Sequence, residues 1–216
     1  MTLARKEKEK EQRRSAIVDA AQALFFAKSY DEITIEAIAE KAQLAKGTVY
    51  LYFKSKEEVY SAVALRGAQI LNGLMKQKIK GKKNGLEKAF ATGEAYFQFF
   101  KEYPHYFKIF SEAAVLDLYN EYKTSQELFD VSWENLEIVL NTVIEGEKDG
   151  SIKPDLDPRL TAIFLIQSTK SMIELTPGFE MYLKQAGADK DTAVRFTLRA
   201  LRQALQTNQD RKIREP

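Results

Sequence analysis

The stretch TIEAIAEKAQLAKGTVYLYFKSKEE, residues 34–58, decides the fold. In its first part, residues 34–41, Ile35, Ile38 and Ala39 fall on one side at helical spacing, and Thr34 is placed to cap the N-terminus. Residues 42–45 make a brief turn. A second short segment, 46–52, turns Val49 inward and leaves Lys46, Gly47, Thr48 and Tyr50 facing outward. Ser55-Lys56-Glu57-Glu58 is a capping box that opens a long helix to about residue 78, about 35 Å in length. Upstream, Ile17, Ala20, Ala21, Leu24 and Phe25 form one apolar helical stripe, and the charged run before it continues that helix as a solvated end. Two short helices joined by a tight turn and braced by a third form a helix-turn-helix layout. Such a layout sets the second short helix in a DNA major groove while the first spans the backbone. Lys46 brings a cation to that helix's start, Gly47 allows close backbone approach, and Thr48 and Tyr50 offer hydroxyls to phosphates or bases.

Further along, Gly81-Lys82-Lys83-Asn84-Gly85 is the clearest break. Helical spacing predicts helices near 86–102, 104–118, 124–148, 157–176 and 189–207. Pro104 and Pro158 suit first helical turns, with Asp157 as a cap; Gly150 and Pro177-Gly178 read as helix ends. No alternating strand pattern appears. The fold class is therefore all-α. A head over residues 1–56, with a charged arm at 1–14, is joined by the long helix to a larger helical bundle within 57–216.

The chain has 216 residues and no Cys, which excludes disulfides and thiolate metal sites, and its one His, His105, excludes a His-based metal cluster. No metal or cofactor is expected. No nucleophile–base pair can be assembled with His, and no Gly-rich phosphate loop is present, so the chain does not read as an enzyme; only a carboxylate-based hydrolase stays open. The longest uncharged apolar stretch, 160–169, is ten residues, about half a membrane span. The charged start without an apolar segment predicts no signal peptide and a cytoplasmic protein. Residues 1–56 hold eleven Lys/Arg against eight Asp/Glu, and the rest 22 against 23, so the head is mildly basic on a near-neutral body. That balance permits polyanion binding by the head.

From Ile17 and Ala20-Ala21 through Leu24-Phe25, Tyr30, Ile33-Thr34, Ile38-Ala39 and Ala42 to Lys46-Gly47-Thr48-Val49-Tyr50-Leu51-Tyr52-Phe53-Lys54-Ser55-Lys56-Glu57, the head resembles the DNA-binding domain of the TetR family of transcriptional regulators. The resemblance implies that Thr34, Lys46, Gly47, Thr48, Tyr50, Tyr52 and Lys56 contact DNA, with Thr34 and Lys56 on phosphates. For Thr34 the bland reading is a cap, and for Tyr52 a place on the head's core. The family usually has Gly where Ser29 and Gln43 stand, and often Ser or Thr where Ala45 stands. Gln43 would sit in a left-handed turn position, and Ala45 leaves the recognition helix without a side-chain cap. A helical adaptor without DNA binding is the reading those two residues keep open.

The resemblance further implies a ligand-responsive regulator, a repressor that binds an inverted-repeat operator as a homodimer and is released by a small lipophilic or aromatic effector. The effector would bind among Tyr96, Phe100, Phe107, Phe110, Trp133 and Gln167, rings that at helical spacing also suit a plain core. The last two long helices, with Leu160, Ile163, Phe164 and Ile166 and then Phe196, Ala200, Leu201, Ala204 and Leu205, would pair with those of a second subunit. Ile173 and Phe196 suit either that interface or the subunit's own core.

Overall fold

The computed structural model describes residues 3–113 and 123–207, with side chains from residue 5. The helices, in chain order, are α1 (Leu3–Ala27), α2 (Ile35–Lys41), α3 (Lys46–Tyr52), α4 (Lys56–Ile79), α5 (Gly85–Glu102), α6 (Pro104–Ala113), α7 (Lys123–Lys148), α8 (Pro158–Ile173), α9 (Pro177–Gln185) and α10 (Lys190–Leu205). A 3-10 turn, Tyr30–Glu32, lies between α1 and α2. Among the described residues the only β pairing is an isolated bridge between Ile152 and Gln206. The end of the helix expected over 104–118 lies outside the described residues.

The helix boundaries follow local chemistry. Thr34 Oγ1 accepts from Ala37 N at the start of α2, and Asp157 accepts from Arg159 N and Leu160 N at the start of α8. Asn84 does the same for Glu87 N at α5. Ser55 Oγ accepts from Glu58 N at 3.2 Å, but the Glu58 carboxylate reaches past the cap to Lys54 N at 2.6 Å. Two expectations need correcting. Pro177-Gly178 does not end a helix; α8 already stops at Ile173, and Pro177 is the first residue of α9. Proline lacks an N–H where a helix start leaves one unsatisfied, so it begins helices as readily as it follows them. Ser29, where glycine was the family norm, has an extended backbone with φ −69° and forms a capping box with Glu32, so it needs no glycine.

The residues fall into two compact units, 1–69 with 105–131, and 70–104 with 132–216. This differs from a division at residue 56: the head packs with the start of α4, with α6 and with the start of α7, because its buried cluster does not close without them. Ile17, Phe25, Ile38, Val49 and Phe53 share one core with Tyr60, Val63, Ile109 and Leu128. The charged arm is the outer part of α1, as its composition predicts, with Arg5 and Glu9 paired at 3.1 Å.

In the second unit α5, α8 and α10 pack against one another. Leu86, Phe99, Val143, Ile152, Ile173 and Val194 are fully buried there. Ile173 thus serves the core, whereas Phe196 is exposed. The start of α5 lies against α7 with no room for side chains: a Cβ on Gly85 would stand 2.0 Å from Gly146 N. Gly85 N donates to Asp149 Oδ2 at 2.7 Å and Leu86 N to Ser151 Oγ at 3.1 Å, so the end of α7 and the turn after it cap α5.

Candidate nucleic-acid interface

The turn between α2 and α3 carries the geometry that the sequence foreshadows. Ala42 closes α2, Gln43 takes φ +57°, Gln43 N donates to Glu40 O at 3.0 Å and Leu44 N to Ala39 O at 2.9 Å. Those two bonds make a Schellman motif, whose left-handed position favours glycine. A non-glycine residue there costs about 1 kcal/mol. Leu44 packs on the core and offsets part of that cost.

Helix α3 is held by one fully buried side chain, Val49. Its N-cap, Ala45, makes no side-chain hydrogen bond. Lys46, Gly47, Tyr50 and Leu51 are exposed, while Thr48 and Tyr52 are half-buried. A Cβ on Gly47 would meet nothing within 4 Å, so nothing inside the protein requires glycine there. Thr34 is exposed at the start of α2 and caps it. Tyr52 packs against the head core, the blander of its two readings. Leu51, whose sequence gave no signal beyond being apolar, is 76% exposed; it offers the kind of apolar contact that a thymine methyl accepts.

The two site lysines are both engaged within the head. Lys46 Nζ pairs with the Glu36 carboxylate and lies 5.8 Å from the Tyr50 ring centroid. Lys56 Nζ donates to Tyr30 O at 3.0 Å and stands 4.0 Å over the Tyr30 ring. Tyr30 is itself fixed by donating to Glu57 at 2.8 Å, and burial, then that carboxylate, raise its pKa. Below the surface, Glu58 is buried; besides Lys54 N it accepts from Thr124 Oγ1 at 3.3 Å, and Arg14 donates to that same hydroxyl at 3.1 Å. Arg14 of the basic arm also sits 5.2 Å over the Phe53 ring, so it braces the end of α3. Glu36 and Glu58 escaped notice in the sequence because their partners come from other helices.

Restoring the missing cap gives a direct check on α3. Ala45→Ser should stabilise the protein by about 1 kcal/mol, read as a rise in thermal midpoint, through a hydroxyl accepting from a first-turn N–H. An unchanged midpoint would show that α3 starts elsewhere.

The six residues expected around an effector are divided. Phe107 is buried and Phe110 packs on the head core, both in the first unit. In the second unit Phe100 lies beneath Lys190, Trp133 is 51% exposed and donates to Glu137, and Gln167 is exposed and donates to Ser171. Only Tyr96 of the six lines the unit's internal cavity, about 20 Å³, which Met75, Thr92, Leu165 and Leu198 also border. An open groove of about 810 Å³ lies between α5 and α10, floored by Phe90, Phe97 and Leu198 and edged by Arg195, Arg199 and Arg202. Among the described residues no group of three or more His, Cys, Asp or Glu is placed to hold a metal ion, and no helix is long and apolar enough to cross a membrane.

Residues 17–63 match the model of the family described as bacterial regulatory proteins, tetR family. An uncharacterized HTH-type transcriptional regulator of Bacillus subtilis (strain 168), YhgD, is 26% identical over 83% of this chain and 90% of its own length. The fatty acid metabolism regulator protein of the same organism is 28% identical over 71% of this chain and 77% of its own. The solved structure of FadR from Bacillus subtilis in complex with stearoyl-CoA superposes with a TM-score of 0.63 at 23% identity, covering 87% of this chain and 96% of that one. With the helix-turn-helix geometry of α2 and α3 and the all-α body that follows, residues 17–63 place this chain in the tetR family of bacterial regulatory proteins.

Proposed function

We propose that the protein is a DNA-binding transcriptional regulator of the cytoplasm, a repressor that holds an inverted-repeat operator as a homodimer and is released by a small lipophilic effector. The observation that carries this reading is α3: one buried residue anchors it, and Lys46, Gly47, Tyr50 and Leu51 stand outward on a helix short enough to lie in a major groove. Thr34, Thr48, Tyr52 and Lys56 flank that face. Dimerisation is supported by α8 and α10, which pack together and turn Leu160, Ile163, Phe164 and Phe196 outward. A contiguous apolar face of this kind marks an interaction surface.

The effector reading rests on the second unit. Phe90 and Leu198 border both the small cavity and the open groove, and Gly93 leaves space that Leu198 fills, since a Cβ there would stand 2.7 Å from Leu198 Cδ2. Movement of Leu198 would join the two spaces, giving a lipophilic ligand a way in beside Tyr96. Two relatives concern fatty-acid metabolism or bind stearoyl-CoA, which supports a lipophilic ligand.

The test is gel retardation of the protein's own upstream DNA, titrated with stearoyl-CoA. The expected result is a retarded complex, a footprint over two half-sites, and operator affinity lowered about 5- to 150-fold by the ligand. No retardation defeats the regulator reading. Retardation that is indifferent to the acyl-CoA defeats this ligand class and leaves DNA binding standing.

A further inference from the structure

The exposed face of α2 and α3 carries a carboxylate where DNA would lie. Lys46 is the first residue of α3, where the helix dipole disfavours a cation, and Ala45 supplies no cap to soften it. Glu36, in the first turn of α2, reaches across the turn and pairs with Lys46. Both side chains are more than half open to solvent or close to it, at 59% and 50%, so neither is held by packing. The hydrogen bond with Lys46 lowers the Glu36 pKa, and the same bond raises that of Lys46. An exposed pair of this kind contributes little to stability. Its consequence is electrostatic: at neutral pH the groove-facing start of α3 carries no net charge.

We propose that Glu36 is a specificity-determining residue that restrains Lys46, keeping it paired on non-operator DNA and releasing it to a phosphate only where the remaining contacts of α3 fit the operator. This rests on the DNA-binding reading above and adds to it. Sequence-independent affinity comes from phosphate neutralisation, each contact releasing about 0.9 counterion. With the Glu36–Lys46 pair closed, a head meets random DNA with one cation fewer. On the operator, the base and backbone contacts of Tyr50, Thr48 and Thr34 fix α3 against the groove, and phosphate replaces Glu36 as the partner of Lys46. The pair therefore weakens competing sites more than the true one, so discrimination rises even though a cation is held back.

The experiment compares wild type, Glu36→Gln, Lys46→Met and the double variant, each full-length. Each is titrated against the protein's own upstream duplex and a random duplex of equal length over a range of salt. Glu36→Gln should raise affinity for the random duplex about eightfold per head near 0.1 M salt and steepen its salt slope by about 0.9 per head. Operator affinity should change less than twofold, and the double variant should lose the gain. Equal gains on both duplexes, or none on either, overturn the proposal while leaving DNA binding intact. Loss of operator affinity alone would show that the carboxylate reads a base, and also overturns it. In the DNA-free protein, carbon NMR of the Glu36 carboxyl should show its lowered pKa returning to the ordinary value in Lys46→Met. A carboxyl insensitive to Lys46 shows there is no pair to break and overturns the proposal whatever the DNA result.

Discussion

Replacing Phe164 and Phe196 together with Glu should leave the protein monomeric and weaken operator binding about 10²- to 10⁴-fold. Phe164 is 55% exposed and Phe196 64%. On α8 they continue a stripe at i, i+3 and i+4, Leu160, Ile163 and Phe164, whose opposite face buries Ala162, Leu165 and Ile173. On α10 the exposed Phe196 stands opposite the buried Val194 and Leu201. The side chains that hold each helix on its own core are thus not the ones replaced, and the circular-dichroism melt should stay near that of the wild type. Two carboxylates per subunit set face to face would make pairing unfavourable. A monomer presents one α3 to one half-site and loses the second, effectively intramolecular contact, which is where the affinity drop originates. Light scattering reads the mass and gel retardation the affinity. A dimer mass in the double variant would move the interface to another face.

The head was legible in the sequence because its constraints are local. Thr34 caps α2, Val49 faces in, Gln43 adopts a positive φ, and Ala45 fails to cap, each decided by a residue and its neighbours within a turn. The body was legible as helices but not as a site. Ring density along the sequence does not record which rings share a cavity: Phe107 and Phe110, two turns from Tyr103 in the chain, belong to a different unit from Tyr96. Nor does sequence reveal Glu58 as the buried carboxylate behind α3, since Thr124 and Arg14 reach it from 66 and 44 residues away. The Glu36–Lys46 pair lies between these cases. Ten residues separate its members, across a turn whose shape depends on the left-handed Gln43.

Gly85→Ala should cost about 3 kcal/mol or more and lower the thermal midpoint by roughly 6–12 °C. Glycine to alanine within a helix ordinarily stabilises, since alanine has the highest helix propensity. Here the sign reverses for a steric reason. The new Cβ would stand 2.0 Å from Gly146 N, 2.4 Å from its Cα and 2.5 Å from Thr142 O, all backbone atoms. No rotamer change relieves such a contact, so α5 and α7 must separate. Separation stretches the bonds from Gly85 N to Asp149 and from Leu86 N to Ser151, and it opens the fully buried Leu86 to solvent. Each lost bond contributes about 1 kcal/mol. Two companions fix the interpretation. At Gly146 the nearest atoms are the Ile152 side chain, 2.5 Å from its Cδ1, which can turn away in part, so Gly146→Ala should cost less than Gly85→Ala. At Gly178 a Cβ would meet nothing within 4 Å, so Gly178→Ala should be neutral or slightly stabilising. The order Gly85, Gly146, Gly178 in thermal melts is what the backbone contact requires. If Gly85→Ala melted with Gly178→Ala, the close approach of α5 to α7 would be disproved, and with it the capping of α5 by the residues that follow α7.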